Sequence, residues 1–159
     1  MERILSQLEE NGRLSSGQLA AMNDMTEEQV AAAVREYEQS GVILGYPALI
    51  DWDKTDKEFV QAIIELKVTP ARDTGFDAVA QTISDFPQVK SLYLTSGASY
   101  DLSLVVEGKT MREIAFFVAQ QLASMDTVTA TATHFIMKKY KDKGVIFGTP
   151  DEDERERDI

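Results

Sequence analysis

The residues best suited to bind a small charged ligand lie between Ser96 and Asp101, in the order Ser-Gly-Ala-Ser-Tyr-Asp. An α-amino acid needs an anion for its ammonium group and hydrogen-bond donors for its carboxylate. Asp101 can supply the anion. Backbone N–H groups after Gly97, freed by a conformation that glycine permits, can supply the donors, aided by Ser99. The stretch therefore predicts charge-assisted binding of a zwitterion.

A second interpretation of this stretch stays open, because its residue types also suit an ordinary hairpin loop with Asp101 as a solvated turn carboxylate. Ala98, Ser99 and Tyr100 would form a small pocket mouth compatible with polar and apolar amino acids alike. Thr131 and Thr133 could line the same pocket from the last strand, although both are equally well explained as β-branched strand residues. The residues alone favour the hairpin loop.

A second group of residues could contact DNA, namely Thr26, Gln29 and Arg35 in a predicted recognition helix. Between residues 26 and 40 the charged side chains are four Glu and Arg35, a net charge of −3, and residues 1 to 45 hold three Arg against eight acidic residues, a net −5. The N-terminal helical region, residues 1 to 41, is here called the head. With this net charge, the head should be repelled by phosphate. The alternative roles are a helix cap, a solvated polar residue and an intrahelical ion pair with Glu36 or Glu38.

The overall composition excludes several function classes. The chain of 159 residues has a net charge of −11, no Cys and a single His, so thiolate chemistry and a histidine metal cluster are excluded, and we expect no metal and no cofactor. The beginning of the chain has no long apolar run, and no signal peptide or membrane span is expected. We expect a cytoplasmic protein without membrane partners.

These residues must be positioned by two kinds of element. Residues 1 to 41 predict three short helices, because their apolar residues fall at helical spacing without strand-like alternation. Ser15 or Ser16 can cap the second helix, and Thr26 with Gln29 three residues later makes a capping box for the third. The pattern is typical of a winged-type helix-turn-helix.

The pattern changes after the head. Residues 42 to 58 are interpreted as a connector, and residues 59 to 148 as an α+β domain in the order β-α-β-β-α-β, the ferredoxin-like arrangement of four antiparallel strands covered by two helices. The predicted elements are a strand at 59–69, a helix at 76–83, a hairpin within 89–106, a helix at 111–122 and a strand at 127–140. Residues 149 to 159 are nearly all charged or polar, which predicts a disordered acidic tail.

Three motifs carry a resemblance to a known family. The connector reads Gly41-Val-Ile-Leu-Gly-Tyr-Pro-Ala-Leu-Ile-Asp51, the second hairpin has Thr-Ser-Gly at 95–97 followed by Tyr-Asp-Leu at 100–102, and the last strand opens with Val-Thr-Ala-Thr-Ala-Thr at 128–133. The connector is similar to the motif G-V-I-x-G-Y-x-A-x-V-D, with Ile50 in place of the valine. Across nearly its whole length the chain resembles the Lrp/AsnC (feast/famine) transcriptional regulators, whose body is also called the RAM domain.

The resemblance implies a DNA-binding regulator that is not an enzyme. It implies bodies that pair through their sheets into homodimers and assemble further, for example into octamers, with an amino-acid effector bound between dimers. On this basis we favour ligand binding at residues 97 to 101. The stretch Ala31-Ala-Ala33 departs from the family, since relatives carry arginines there.

Two alternatives remain beside the regulator. The acidic head is compatible with a non-DNA-binding amino-acid sensor or adaptor that acts through a partner protein. Sirohaem decarboxylases resemble this two-domain build, but the chain has no arginine-rich motif for a tetrapyrrole's carboxylates. A lysine cluster at residues 138 to 143 is interpreted as a solvated strand end, with acidic residues following at 151 to 158.

Overall fold

The computed structural model describes residues 2 to 148, so the predicted tail at 149–159 lies outside the described residues. The chain divides into two compact units between Ile50 and Asp51. This division falls inside the segment 42–58 that the sequence assigns to a connector. Within the described residues, no helix has the length and apolar character needed to cross a bilayer.

The head contains three helices, as the sequence predicts: α1 Glu2–Glu10, α2 Ser16–Asn23 and α3 Glu27–Gln39. Ser15, rather than Ser16, caps α2, and its side chain accepts a hydrogen bond from the Gln18 N–H at 3.1 Å. Asp24 takes a left-handed conformation (φ 53°) in the turn before α3. The buried core of the head consists of Ile4, Leu8, Leu19, Ala20 and Val30. One apolar stripe from each helix therefore builds the head.

The connector begins at Gly41, whose φ of +74° lets the chain reverse after α3. Residues 43 to 50 form neither helix nor strand, and no described strand pairs with them. The Ile43 N–H donates to the Tyr37 carbonyl at 3.0 Å, and the Tyr46 hydroxyl donates to Glu38 Oε1 at 2.8 Å. These two hydrogen bonds hold the start of the connector on the C-terminal half of α3.

The body is built from a four-stranded antiparallel sheet in the order β2-β3-β1-β4. Its elements are β1 Val60–Val68, α4 Asp77–Ser84, β2 Val89–Leu94, β3 Leu102–Gly108, α5 Met111–Phe117 and β4 Val128–Phe135. The strand order and the two helices confirm the ferredoxin-like α+β fold.

The two faces of the sheet differ in burial. Alternate residues of β1, such as Ile64 and Leu66, are fully buried with Val79 and Ile83 of α4 and Ile114 of α5. Ile63, on the opposite face, is 38% exposed. Since side chains alternate across a strand, one face carries the helices and the other remains open within the described part of the body.

Two predicted elements differ in detail from the sequence-based prediction, one in geometry and one in length. The helix at 111–122 leaves α-helical geometry after Phe117 and finishes as a π-helical turn, Val118–Leu122. The strand at 127–140 stops at Phe135, which pairs with Ala62 of β1. The Ile136 N–H still donates to the Gln61 carbonyl at 2.9 Å, and the chain then leaves the sheet. The chain instead forms a separate small hairpin from β5 Lys141–Asp142 and β6 Val145–Ile146.

Candidate ligand-binding loop and nucleic-acid interface

The stretch predicted to bind a ligand is the loop between β2 and β3. Residues 96 to 99 are exposed, whereas Tyr100 and Asp101 are partly buried. Asp101 anchors the end of the loop, since its N–H donates to the Leu66 carbonyl at 2.9 Å and its carbonyl accepts from the Thr95 N–H at 2.8 Å. Asp101 thus attaches the exposed loop to β1.

The Asp101 carboxylate has two neighbours in β1. Oδ2 accepts the Val68 N–H at 2.8 Å and lies 3.9 Å from the Lys67 ammonium, and the side chain is only 19% exposed. Oδ1 accepts no hydrogen bond from any residue the structure describes. The carboxylate is therefore neither a free anion nor a solvated turn residue. One oxygen holds the strand end, and the other is available to a ligand.

Gly97 is favoured for a steric reason and not for the backbone conformation that the sequence suggests. Its φ does not lie in the left-handed region, so the conformation that only glycine permits is not what places this loop. A Cβ at this position would instead lie 3.0 Å from the Tyr100 carbonyl oxygen. Close approach of two backbone segments, which a side chain would prevent, explains the glycine.

Thr131 and Thr133 do not join the loop within one chain. They lie on β4, opposite Leu66 and Ile64 of β1, and therefore on the helix-covered face. Because β1 separates β4 from β3, these threonines are two strand spacings, about 10 Å, from the β3 residues of the same row. Both are partly buried, as expected of β-branched strand residues.

Two of the candidate DNA contacts bind each other. The Thr26 hydroxyl accepts the Gln29 N–H at 3.2 Å, and Gln29 Oε1 accepts the Thr26 N–H at 2.9 Å. This reciprocal capping box satisfies two backbone donors at the start of α3. Arg35 is exposed and forms no salt bridge with any described residue, so the intrahelical pair with Glu36 or Glu38 is not formed.

Tyr46 is held at the other end of α3. Desolvation by burial, followed by the hydrogen bond to Glu38 and the repulsion between that carboxylate and a phenolate, raises the pKa of Tyr46 above its ordinary value. A Cβ added at Gly12 would come within 3.3 Å of Tyr46 Cδ1. The ring thus packs on the turn after α1 while its hydroxyl binds α3.

Sequence reasoning missed Lys67. It lies beside Asp101, although 34 positions separate them, and strand pairing alone brings them together. His134, interpreted from the sequence as a sheet histidine with a partner rather than a pH switch or ligand contact, has its Nε2 3.1 Å from Glu65 Oε2 on the open face of the sheet. No local signal identifies either partner, since each pair depends on the register of β1 with its neighbours.

Comparison with known proteins agrees with this architecture. The chain matches the model of the Lrp/AsnC ligand binding domain over residues 61–146 and that of a winged helix-turn-helix DNA-binding domain over residues 2–43. The HTH-type transcriptional regulator YugG of Bacillus subtilis is 45% identical over 153 residues, with 96% of this chain and 92% of YugG covered. The similarity therefore includes head and body.

Solved structures share the fold. A transcriptional regulator of Neisseria meningitidis in complex with L-Met has a TM-score of 0.69 at 24% identity, covering 92% of each chain. AsnC of Escherichia coli has a TM-score of 0.64 at 18% identity, with 86% of this chain and 89% of AsnC covered.

A helix-turn-helix head joined to a ferredoxin-like body that matches a ligand-binding domain is the arrangement of a two-domain transcriptional regulator. The chain belongs to the Lrp/AsnC family. It is a regulator rather than an enzyme, as the sequence predicts.

Proposed function

We propose that this regulator binds DNA through α3 and responds to a small amino acid bound at the β2–β3 loop, at an interface between copies of the chain. The observation that carries the effector site is Asp101, whose Oδ2 is held by the Val68 N–H while Oδ1 accepts no hydrogen bond from the described residues. A carboxylate in a fixed position beside an exposed loop is suited to the ammonium group of an amino acid.

The carboxylate of the effector would be bound by the other groups of the loop. Backbone N–H groups of the exposed residues Ala98 and Ser99 are near enough in sequence to Asp101 to contact the same small molecule, and the Ser99 hydroxyl is a further donor. Lys67 contributes positive charge 3.9 Å from Asp101. The complex of the Neisseria relative with L-Met supports an amino acid as the ligand class.

The open face of the sheet would form the homodimer, and dimers would assemble further. Ile63 is 38% exposed on this face, and Val105 pairs beside it in β3. Covering this apolar pair with a second sheet would remove it from water. Thr131 and Thr133, which are distant from the loop in one chain, would contribute to an effector pocket only if another subunit supplied them.

Selection of genomic DNA tests the proposal. Purified protein is incubated with fragments of its own genome at low and moderate salt, with and without an amino-acid mixture, and the retained fragments are sequenced. Enrichment of defined upstream regions that changes with amino acids supports the regulator. Arg35→Ala should reduce retention, whereas Arg72→Ala, an exposed arginine of the body, should not.

A second candidate function is a sensor that acts through a partner protein instead of DNA. It is favoured by the head itself, where Thr26 and Gln29 are engaged in a cap and Arg35 is the only basic residue of α3. Absence of retention at low salt, by protein shown to be oligomeric, would overturn direct DNA binding and leave this second candidate.

A further inference from the structure

The small hairpin that follows β4 is the most basic segment of the described chain. Residues 138 to 147, here named the C-terminal hairpin, contain four lysines and one acid, a net charge of +3 in a chain of net −11. Lys141 pairs with Ile146 and Asp142 with Val145, and the Phe147 N–H donates to the Tyr140 carbonyl at 2.9 Å. Lys141 therefore lies on a short two-stranded ribbon and Lys143 in its turn, whereas Lys138 and Lys139 lie in the irregular segment between β4 and β5.

The tip of this hairpin carries a lysine in an unfavourable conformation. Lys143 and Gly144 have φ values of +46° and +80°, which is the backbone of a type I′ turn. Asn, Asp or Gly is favoured at the first of these positions, because a side chain with a Cβ is strained there. A lysine at a strained position is consistent with a function of its charge.

Three of the four lysines form no ion pair with an acid among the described residues. Lys139 forms an ion pair with Asp142 at 3.3 Å, whereas Lys138, Lys141 and Lys143 form no salt bridge among residues 2 to 148. All three are exposed. Within residues 2 to 148, solvent exposure leaves these three ammonium groups accessible to an external anion.

The hairpin also presents an aromatic ring beside its charges. Tyr140 is 70% exposed, and the Lys138 ammonium lies 5.2 Å from the centre of its ring. Tyrosine hydroxyls and lysines both donate hydrogen bonds to phosphate oxygens, and protein contacts to DNA are mostly of this kind. Protruding ribbons of two strands are among the elements that proteins insert into DNA grooves.

We propose that the C-terminal hairpin contacts the phosphate backbone of duplex DNA through Lys138, Lys141 and Lys143. This inference rests on the proposed function. The hairpin would supply the positive charge that the head lacks. Residues 1 to 45 have a net charge of −5 with a single basic residue in α3, so little counterion release can come from the helix that would read the bases. The hairpin provides sequence-independent affinity, and the head provides the base contacts.

The test compares two variants of equal charge. In the hairpin variant Lys138, Lys141 and Lys143 are each changed to Gln, and in the control variant Lys54, Lys90 and Lys109, which are exposed and lie outside the hairpin, are changed to Gln. Affinity for the most enriched genomic duplex is measured against salt concentration. The hairpin variant should lower the slope of log K against log salt by about 0.9 for each lysine in contact with a phosphate, about 3 in all, while the control keeps the wild-type slope.

Each outcome decides between the proposals. If the wild type binds DNA and both variants retain its slope, the hairpin inference is overturned while the regulator proposal stands. If both variants lose the same amount of slope, overall charge is responsible and the inference is again overturned. A change in oligomeric state of the hairpin variant by sedimentation, with an unchanged slope, would assign the ribbon to contacts between copies instead. Failure of the wild type to bind any duplex would overturn both proposals.

Discussion

The Asp101 carboxylate at the start of β3 accepts the Val68 N–H at the end of β1 at 2.8 Å. This hydrogen bond fixes the position of the charge that we propose for effector binding, and it gives the residue both a structural and a binding role. The two roles can be separated by substitution, because an amide oxygen accepts a hydrogen bond but carries no charge.

Asp101→Asn should preserve the fold and weaken binding of the effector. The Asn side chain can still accept the Val68 N–H, whereas loss of the charged partner for an ammonium group should reduce affinity at least about tenfold, since hydrogen bonds to charged groups contribute roughly 1.5–3 kcal/mol. Asp101→Ala should also destabilise the body by about 1–3 kcal/mol by leaving that N–H unpaired. Calorimetric titration with amino acids and thermal unfolding measure the two effects. Unchanged affinity in the Asn variant would remove Asp101 from the effector site.

Gly97→Ala should disturb the loop more than the fold. The added Cβ would meet the Tyr100 carbonyl oxygen at 3.0 Å, so the exposed loop must shift, and we expect effector affinity to fall by about tenfold or more. Gly45→Ala is the matched control, because nothing lies within 4 Å of a Cβ there and its φ is not left-handed. Equal effector affinity in the two variants would show that the close approach at Gly97 is unrelated to binding.

Thr26→Ala should destabilise the head, because its hydroxyl caps α3 through the Gln29 N–H. The expected loss is about 1 kcal/mol in the free energy of unfolding, measured by urea denaturation. Thr26→Ser keeps the capping oxygen and should unfold close to wild type. If Thr26→Ala weakens DNA binding while the free energy of unfolding is unchanged, the residue acts at the DNA and not as a cap.

Tyr46 predicts a loss of stability at alkaline pH. Its pKa is raised in the folded head, first by desolvation and then by Glu38, so the folded state retains the proton more strongly than the unfolded state. This contribution is complete below the ordinary tyrosine pKa near 10 and is lost as pH rises through the higher folded value. Difference absorbance near 295 nm during a pH titration should show one tyrosine titrating late, and Tyr46→Phe should abolish that component.

The same variant tests the attachment of the connector. Removing the Tyr46 hydroxyl deletes its hydrogen bond to Glu38. Because both residues are exposed, the free energy of unfolding should fall by about 0.5 kcal/mol, the lower end for a hydrogen bond. Glu38→Gln keeps an acceptor without its charge and should lower the Tyr46 pKa while preserving stability. A late-titrating tyrosine that persists in Tyr46→Phe would contradict this assignment.

Local chemistry made much of the architecture predictable. The spacing of apolar residues predicts three helices in the head and the β-α-β-β-α-β order in the body. Side chains repeat about every 3.6 residues in a helix and about every 2 in a strand, and these periods are visible in a linear sequence. The Thr26–Gln29 capping box is also predictable from the sequence, since its partners are three residues apart. The sequence-based reason for Gly97, a conformation that glycine permits, is wrong, since its φ is not left-handed and a Cβ there would instead approach the Tyr100 carbonyl oxygen.

Tertiary structure decided what depends on pairing over long sequence separation. Strand order placed Thr131 and Thr133 beyond β1 from the loop, and register brought Lys67 to Asp101 and Glu65 to His134. The chain leaves the sheet after Phe135 and Ile136, the last residues bonded to β1, and residues 138 to 147 form the C-terminal hairpin. The sequence by itself determined the family, the elements and the acidic head, because these are recorded locally. Which charges face one another was decided only when distant strands paired.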